Sequence, residues 1–477
     1  MISHTIGDLA RHMGLPALKR AAGAVTRLVP IPQPVLMVGP GAAVRLAEAL
    51  GDFGHRKILV VTDAQIVRLG LLAPLTGALQ RAGRGFVVFD EIEPDAPIPV
   101  VERGLELMRR DACDAVLAVG GGSVIDAAKV IAMAAANRKK PAALAGYFRG
   151  LHGPVPIYAV PTTAGTGSEV TVAAVISDPE QQRKLVVADT RIVPDMAALD
   201  PTLMTGLPPA VTAATGMDAL THAVEAYISQ WATPATDRLA LAAAGMVFTH
   251  LPRAFAQGDD LLARERMALA ATYAGMAFTR ANVGNVHAIA HQLGARYHTP
   301  HGLANAIMLP HVLRFSLGAA APRLAALARH VGVAGDDVAD AVAAQRFVDA
   351  VQSLNDRLGI PRRLDALRDD DVDALAQAAC READLNYPVP RVMGLDDCAA
   401  LLRAVLPPPR AAARPRRGAA GDASAGGEAP AEAAAVAPAR RAAAARKKAA
   451  AVEAGAVAEA ARRPAGKRTG TRRAAPT

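Results

Sequence analysis

The chain has 477 residues, is 52% hydrophobic but only 3% aromatic, and carries a formal charge of +9. That length supports two or three domains with real cores. The basic excess is confined to one end: from Pro407 onward fifteen Lys/Arg face five Asp/Glu, leaving 38 basic and 39 acidic residues before it, so the part able to fold is near neutral and a polyanion-binding surface is not expected on it.

Residues 1–33 form an N-terminal extension whose stretch "HTIGDLARHMGLPALKRAAGAVTRLVP" has the pattern of an amphipathic helix packed on the first domain. Residues 34–205 then alternate short apolar runs with helical patterns. "PVLMVG", "KILVVTD", "GFVVFD", "DAVLAVGGGS" and "PIYAVPTT" read as strands, and "AAVRLAEAL", "GLLAPLTGALQRAG", "PVVERGLELMRR" and "VIDAAKVIAMAAA" as helices. This rhythm predicts a mostly parallel α/β sheet, with "AAVISD", "KLVVAD" and "MAALD" as further short strands. From 206 to 406 nearly everything follows the helical period, punctuated by Pro208, Pro234, Pro252, Pro300 and Pro361, which predicts an all-helical second domain.

Residues 407–477 are Ala/Pro/Arg/Gly-rich, with little to bury, and are expected to be disordered; nucleic-acid contact by this tail is conceivable but not favoured. The three cysteines, Cys113, Cys380 and Cys398, are widely spaced and form no CxxC pair, which argues for a reducing cytoplasm rather than a disulfide framework. No signal-peptide pattern opens the sequence, and membrane association is not expected.

Two loops have the character of a dinucleotide site. Gly120, Gly121, Gly122 and Ser123 lie between a strand and a helix, where close backbone approach and free helix N–H groups suit a diphosphate. "VPTTAGTGSEVT" offers the hydroxyls of Thr162, Thr163, Thr166 and Ser168 after the next strand. Asp126 and Lys129, one turn into the helix, read as an exposed surface pair, or Asp126 as a support for the glycine loop. Asp63, closing "KILVVTD", suits either an adenosine ribose, favouring NAD over NADP, or the N-cap of the next helix. "VGPGAAV" lacks the third glycine of a dinucleotide fingerprint and reads as a plain turn.

The second domain holds a metal-like constellation. Asp218 and His222 share a helix face, and His287 and His291 repeat their spacing within "NVHAIAHQLGARYHTPHG". Pro300 breaks that helix and His301 begins the next. An acid with several histidines suits Fe²⁺, Zn²⁺, Mn²⁺ or Ni²⁺, and spacing does not choose among them.

With "GGGSVIDAAK", "PTTAGTGSEVT", "GMDALTHAVEAY" and "HQLGARYHTPHGLANAIMLP" in this order, the chain over about 34–406 resembles the iron-containing (group III) alcohol dehydrogenase family of the dehydroquinate synthase-like superfamily. The resemblance implies an α/β dinucleotide-binding domain followed by an all-α metal domain. It implies interconversion of a small alcohol and its aldehyde or ketone with NAD, on a divalent metal, Fe²⁺ first and Zn²⁺ second, in a homodimer or larger homo-oligomer. The family's metal ligands fall on Asp218, His222, His287 and His301, and its non-ligand active-site histidine on His291. Gly121, Gly122, Ser123, Thr162, Thr163, Thr166, Lys184 and the NAD-selecting Asp63 fall in cofactor positions, and Phe278 in the substrate pocket wall. His298 matches no ligand position. A polyol dehydrogenase or a hydroxyacid–oxoacid transhydrogenase is the neighbouring alternative. One departure is local: relatives often carry "EPNPT" where this chain has "EPDAP", with Asp95 in place of Asn.

Overall fold

The computed structural model describes residues 29–181 and 183–408, together with Gly23. The expected N-terminal helix and the tail beyond 408 lie outside the described residues. The first half contains strands β1 (Val35–Val38), β2 (Lys57–Val61), β3 (Gly85–Phe89), β4 (Ala115–Gly120), β5 (Gly146–Tyr147), β6 (Ile157–Pro161), β7 (Ala173–Asp178), β8 (Arg183–Ala188) and β9 (Met196–Leu199). Between them lie helices α1 (Ala42–Ala49), α2 (Ala64–Arg68), α3 (Ala73–Arg81), α4 (Ile98–Arg110) and α5 (Gly122–Asn137). The helix expected in "GLLAPLTGALQRAG" begins only at Ala73, and Gly70, whose φ of 70° no ordinary helix residue adopts, separates it from α2.

Six strands form one sheet in the order β1-β9-β6-β4-β2-β3, with every pair parallel. A parallel sheet needs cover on both faces, and the central strands are apolar on both. Ile58, Val60, Leu117 and Val119 pack with Leu46, Leu75 and Leu79 of α1 and α3. Leu59, Val61, Val116 and Ala118 pack with Leu105, Ile125 and Ile131 of α4 and α5. Of the three late strands only β9 joins this sheet, because β7 and β8 pair antiparallel and form a small sheet with β5.

The strand order decides where a ligand can enter. After β2 the chain moves outward to β3; after β4 it moves the other way, to β6. The carboxyl ends of β2 and β4 therefore flank a crevice at a topological switch point. Asp63 follows one of these ends and Gly121–Ser123 the other, and the Thr62 hydroxyl donates to the Val119 carbonyl at 2.7 Å, tying the two ends together.

Among the described residues, those after 205 are all-helical: α6 (Pro209–Ile228), α7 (Pro234–Ala256), α8 (Leu261–Ala281), α9 (Asn285–Tyr297), α10 (His301–His330), α11 (Asp340–Arg357), α12 (Val372–Asn386) and α13 (Leu395–Ala404). Pro209 and Pro234 are first residues of helices, where the missing N–H costs nothing. Pro252, expected to punctuate, lies inside the last two turns of α7, where only one helix bond is forfeited. The core is built of alanines such as Ala213, Ala223, Ala243 and Ala274, whose small side chains let the helices approach closely. By length and composition α7 and α10 could cross a membrane; most of the apolar window of α10 is buried within the bundle.

Candidate metal and dinucleotide site

Helix α6 presents Asp218, His222 and Glu225 on one buried face, at helical intervals of about one turn. Helix α9 brings His287 and α10 opens with His301. One ligand atom from each of Asp218, His222, His287 and His301 lies within 4.8 Å of all the others. Gly302 permits this approach: a Cβ there would stand 2.3 Å from the Ala214 carbonyl oxygen of α6, so any larger residue would push the start of α10 away.

The donors suit a divalent ion. His301 Nε2 is 3.5 Å and His287 Nε2 3.9 Å from Asp218 Oδ1, and His222 Nδ1 is 3.9 Å from Asp218 Oδ2. Ligands arranged tetrahedrally about 2.0–2.2 Å from a metal would be roughly 3.3–3.6 Å apart, so small adjustments suffice. His222 Nδ1 is buried with no hydrogen-bond partner, an orphan that a cation would satisfy. Burial, joined by mutual repulsion among the rings, lowers His287 well below the usual histidine range. His222 is lowered chiefly by burial, and His301 to about 4 for the same reason. The imidazoles are thus neutral, the form that binds metal.

Three neighbours shape the cluster, and none was singled out from sequence. Glu225 Oε2 lies 2.6 Å from His287 Nδ1, while the same carboxylate accepts from the N–H groups of Gly284 (2.8 Å) and Val286 (2.7 Å) at the start of α9. One buried acid therefore caps α9 and orients its histidine; burial raises Glu225 to about 7 against those bonds. Asn305 directs its amide N–H groups at Asp218 Oδ1 (2.7 Å), His301 Nε2 (3.1 Å) and His287 Nε2 (3.2 Å). Glu382, from α12, lies 2.6 Å from His291 Nδ1 and also accepts from Gln292 (2.7 Å) and the Tyr387 hydroxyl (2.6 Å). Glu225 follows Asp218 and His222 on their own face and Asn305 follows His301 by one turn, so helical spacing could have found both. Glu382 is 91 positions from His291, and no local pattern signals it.

His291 does not join the four donors. Its ring stacks on His301, with centroids 5.3 Å apart, and its Nδ1 is taken by Glu382. Burial disfavours its charged form, but the Glu382 carboxylate outweighs burial and raises it. Phe278 stacks on the His222 ring at 4.3 Å. His298 ends α9 in the left-handed conformation, φ 53°, as a helix cap.

The two predicted cofactor loops meet. Gly121 caps α5, and a Cβ on Gly122 would lie 2.6 Å from Thr166 Cγ2, so a larger residue there would push against the Thr166 side chain. Thr162 N donates to the Gly120 carbonyl at 3.0 Å. Beyond Thr166 the second loop reaches the helical half: Gly165 packs on Thr215, three residues before Asp218, and the Thr272 hydroxyl of α8 donates to Glu169 at 2.7 Å. Ser123 Oγ accepts from Asp95 N, and Asp95 pairs with Lys184 of β8. Asp63 caps α2, its Oδ1 accepting from Gln65 N (2.9 Å) and Ile66 N (3.0 Å); its bonds thus serve the helix rather than the other loops.

Asp126 and Lys129 are not an exposed pair. Lys129 is 0% exposed and donates to the Thr171 carbonyl (2.8 Å), the Thr171 hydroxyl (2.9 Å) and the Ala173 carbonyl (2.9 Å). Asp126 accepts from Val175 N at 2.9 Å, so it anchors β7 rather than the glycine loop.

A switch-point crevice beside a buried Asp/His₃ cluster is the form of a metal-dependent, dinucleotide-linked oxidoreductase. Residues 33–201 match the model of iron-containing alcohol dehydrogenases and 212–406 that of the C-terminal part of the Fe-containing alcohol dehydrogenase family. The chain is 37% identical over 375 residues to the NAD-dependent methanol dehydrogenase of Bacillus methanolicus, covering 78% of this chain and 98% of that protein. It is 42% identical over 351 residues to the 1,3-propanediol dehydrogenase of Citrobacter freundii, covering 72% and 90%. Among solved structures, a 1,3-propanediol oxidoreductase superposes with a TM-score of 0.77 at 39% identity, covering 80% of this chain and all of that one. The chain belongs to the iron-containing alcohol dehydrogenase family. It is accordingly an NAD-linked oxidoreductase of the alcohol dehydrogenase type.

Proposed function

We propose that the protein interconverts a small alcohol and its aldehyde or ketone through a metal centre formed by Asp218, His222, His287 and His301, with NAD(H) as hydride carrier. The observation that carries this reading is the convergence of those four donors from three helices. They would hold a divalent ion, Fe²⁺ in the first place and Zn²⁺ in the second. When bound, such an ion supplies Lewis acidity that eases loss of the alcohol proton and polarises the carbonyl in the reverse direction.

The chain's other groups divide the remaining work. Gly121, Gly122 and Ser123 place backbone N–H groups at the positive end of α5, where a diphosphate belongs. Thr162, Thr163 and Thr166 line the same groove, and Lys184 adds a cation beside it. Asp63 uses one oxygen to cap α2; the other serves a ribose and repels a 2′-phosphate, favouring NAD over NADP. Phe278, stacked on His222, walls the substrate pocket. His291, with Nδ1 fixed by Glu382, is the proton handler. Residues 34–205 serve as the dinucleotide domain and 206–406 as the metal domain. The protein acts in the cytoplasm, whose reducing conditions suit the widely spaced Cys113, Cys380 and Cys398, and as a homodimer or larger homo-oligomer, which light scattering tests.

The decisive experiment is metal analysis of natively purified protein, coupled to a panel of primary alcohols and diols with NAD⁺ and NADP⁺. Iron or zinc near one per chain and NADH formation are expected. Equal NADH formation by metal-free protein would refute the metal reading.

A further inference from the structure

The turn between β3 and α4 carries "EPDAP". Within it Asp95 has φ 67° and Ala96 φ 45°. Two successive left-handed residues are unfavourable, and aspartate and asparagine tolerate that region best among side chains with a Cβ. The turn is fastened on both sides: Asp95 N donates to Ser123 Oγ at 3.1 Å, and Ser177 N donates to the Ala96 carbonyl at 3.2 Å. So held, the Asp95 carboxylate reaches the Lys184 ammonium and forms an ion pair with it. The lysine side chain is 19% exposed and the aspartate 43%, so water screens the pair only in part.

The position of this pair gives it a consequence. Ser123 belongs to the first turn of α5, whose free N–H groups attract an anion. Lys184 extends the same positive region toward the histidine cluster: burial chiefly lowers His301, and the Lys184 charge adds to that lowering. A carboxylate placed between them opposes any anionic ligand and occupies the cation that would otherwise meet it.

Resting on the dinucleotide reading above, we propose that Asp95 sets the affinity for the cofactor: it pairs with Lys184 and withholds that ammonium from the anionic dinucleotide, which must compete for it. The pair thereby loosens cofactor binding and eases release. Asparagine shares the shape of aspartate and its tolerance of positive φ, so Asp95→Asn removes the charge and keeps the turn.

The test is a fluorescence titration of NADH into the full-length protein, its Asp95→Asn and Lys184→Met variants, and the double variant. Asp95→Asn is expected to bind NADH about three- to tenfold more tightly at low salt, with the gain shrinking near 0.5 M salt. In the Lys184→Met background the same substitution should change affinity about twofold at most. Unchanged or weaker binding by Asp95→Asn overturns the proposal, as does an equal gain in both backgrounds. Wild-type protein that fails to bind NADH would instead overturn the dinucleotide reading and this proposal with it.

Discussion

Glu225 Oε2 lies 2.6 Å from His287 Nδ1, and the same carboxylate closes the N-terminus of α9, the helix that carries His287. One side chain thus sets both the position of the helix and the tautomer of its histidine, since an N–H at Nδ1 leaves Nε2 as the free donor. Glu225→Gln preserves the size but turns an amide toward the ring. Metal affinity is expected to fall about 10–100-fold, read by chelator competition, while the helical content stays unchanged. Unaltered affinity would reduce Glu225 to a helix cap.

Removing a donor should have a different signature. Asp218→Asn or His301→Ala is expected to abolish bound metal and NADH formation together. Because the glycine and threonine loops stand on the sheet rather than on α6 or α10, NADH binding by these variants should persist within about twofold. Loss of cofactor binding in both variants would show that the two halves of the site are not separable.

His291 contacts His301 but has its own partner, so its role separates from metal retention. His291→Ala is expected to lower kcat about 10²-fold or more, the usual yield of a positioned proton handler, with full metal content. Glu382→Gln should produce a smaller loss of the same kind, because the ring keeps its place but loses the carboxylate that favours its charged form. Wild-type kcat for His291→Ala would leave the ring as packing.

Lys129 offers a stability test independent of catalysis. Burial lowers it to about 8, against an ordinary value of 10.5. Between those values the unfolded chain still binds the proton that the folded protein has lost, so the unfolding free energy rises with pH across that window. The full difference corresponds to about 3 kcal/mol. Urea unfolding should therefore show wild-type protein gaining stability relative to Lys129→Met from about pH 8 to 10, with Lys129→Met destabilised near neutrality because Asp126 and Glu169 lose their buried partner. Parallel curves for the two proteins would mean that buried Lys129 keeps its proton across that window.

The residues legible in the sequence are those whose partners are local. Asp218 with His222, and His287 with His291, announce a shared helix face through spacing alone. The glycine turn before α5 is legible because strand, glycines and helix follow one another directly. Asp126 and Lys129, three residues apart rather than four, also share a helix face and read as a surface pair: helical periodicity shows the shared face but not that β7 covers it. The proline at 252 similarly carries a breaking signal that the end of α7 absorbs.

What the sequence by itself determined is the pair of layers and the inventory of donors. Short continuous apolar runs alternating with helices can be buried only as a covered parallel sheet, and the long helical-period stretch can be buried only as a bundle. Tertiary structure alone decided which groups meet. Glu382 reaches His291 across 91 positions, and Lys184 meets Asp95 from a separate sheet. The physical reason is that spacing along a helix or strand fixes direction within one element, whereas contact between elements depends on strand order, helix crossing and close approaches such as that of Gly302 to Ala214.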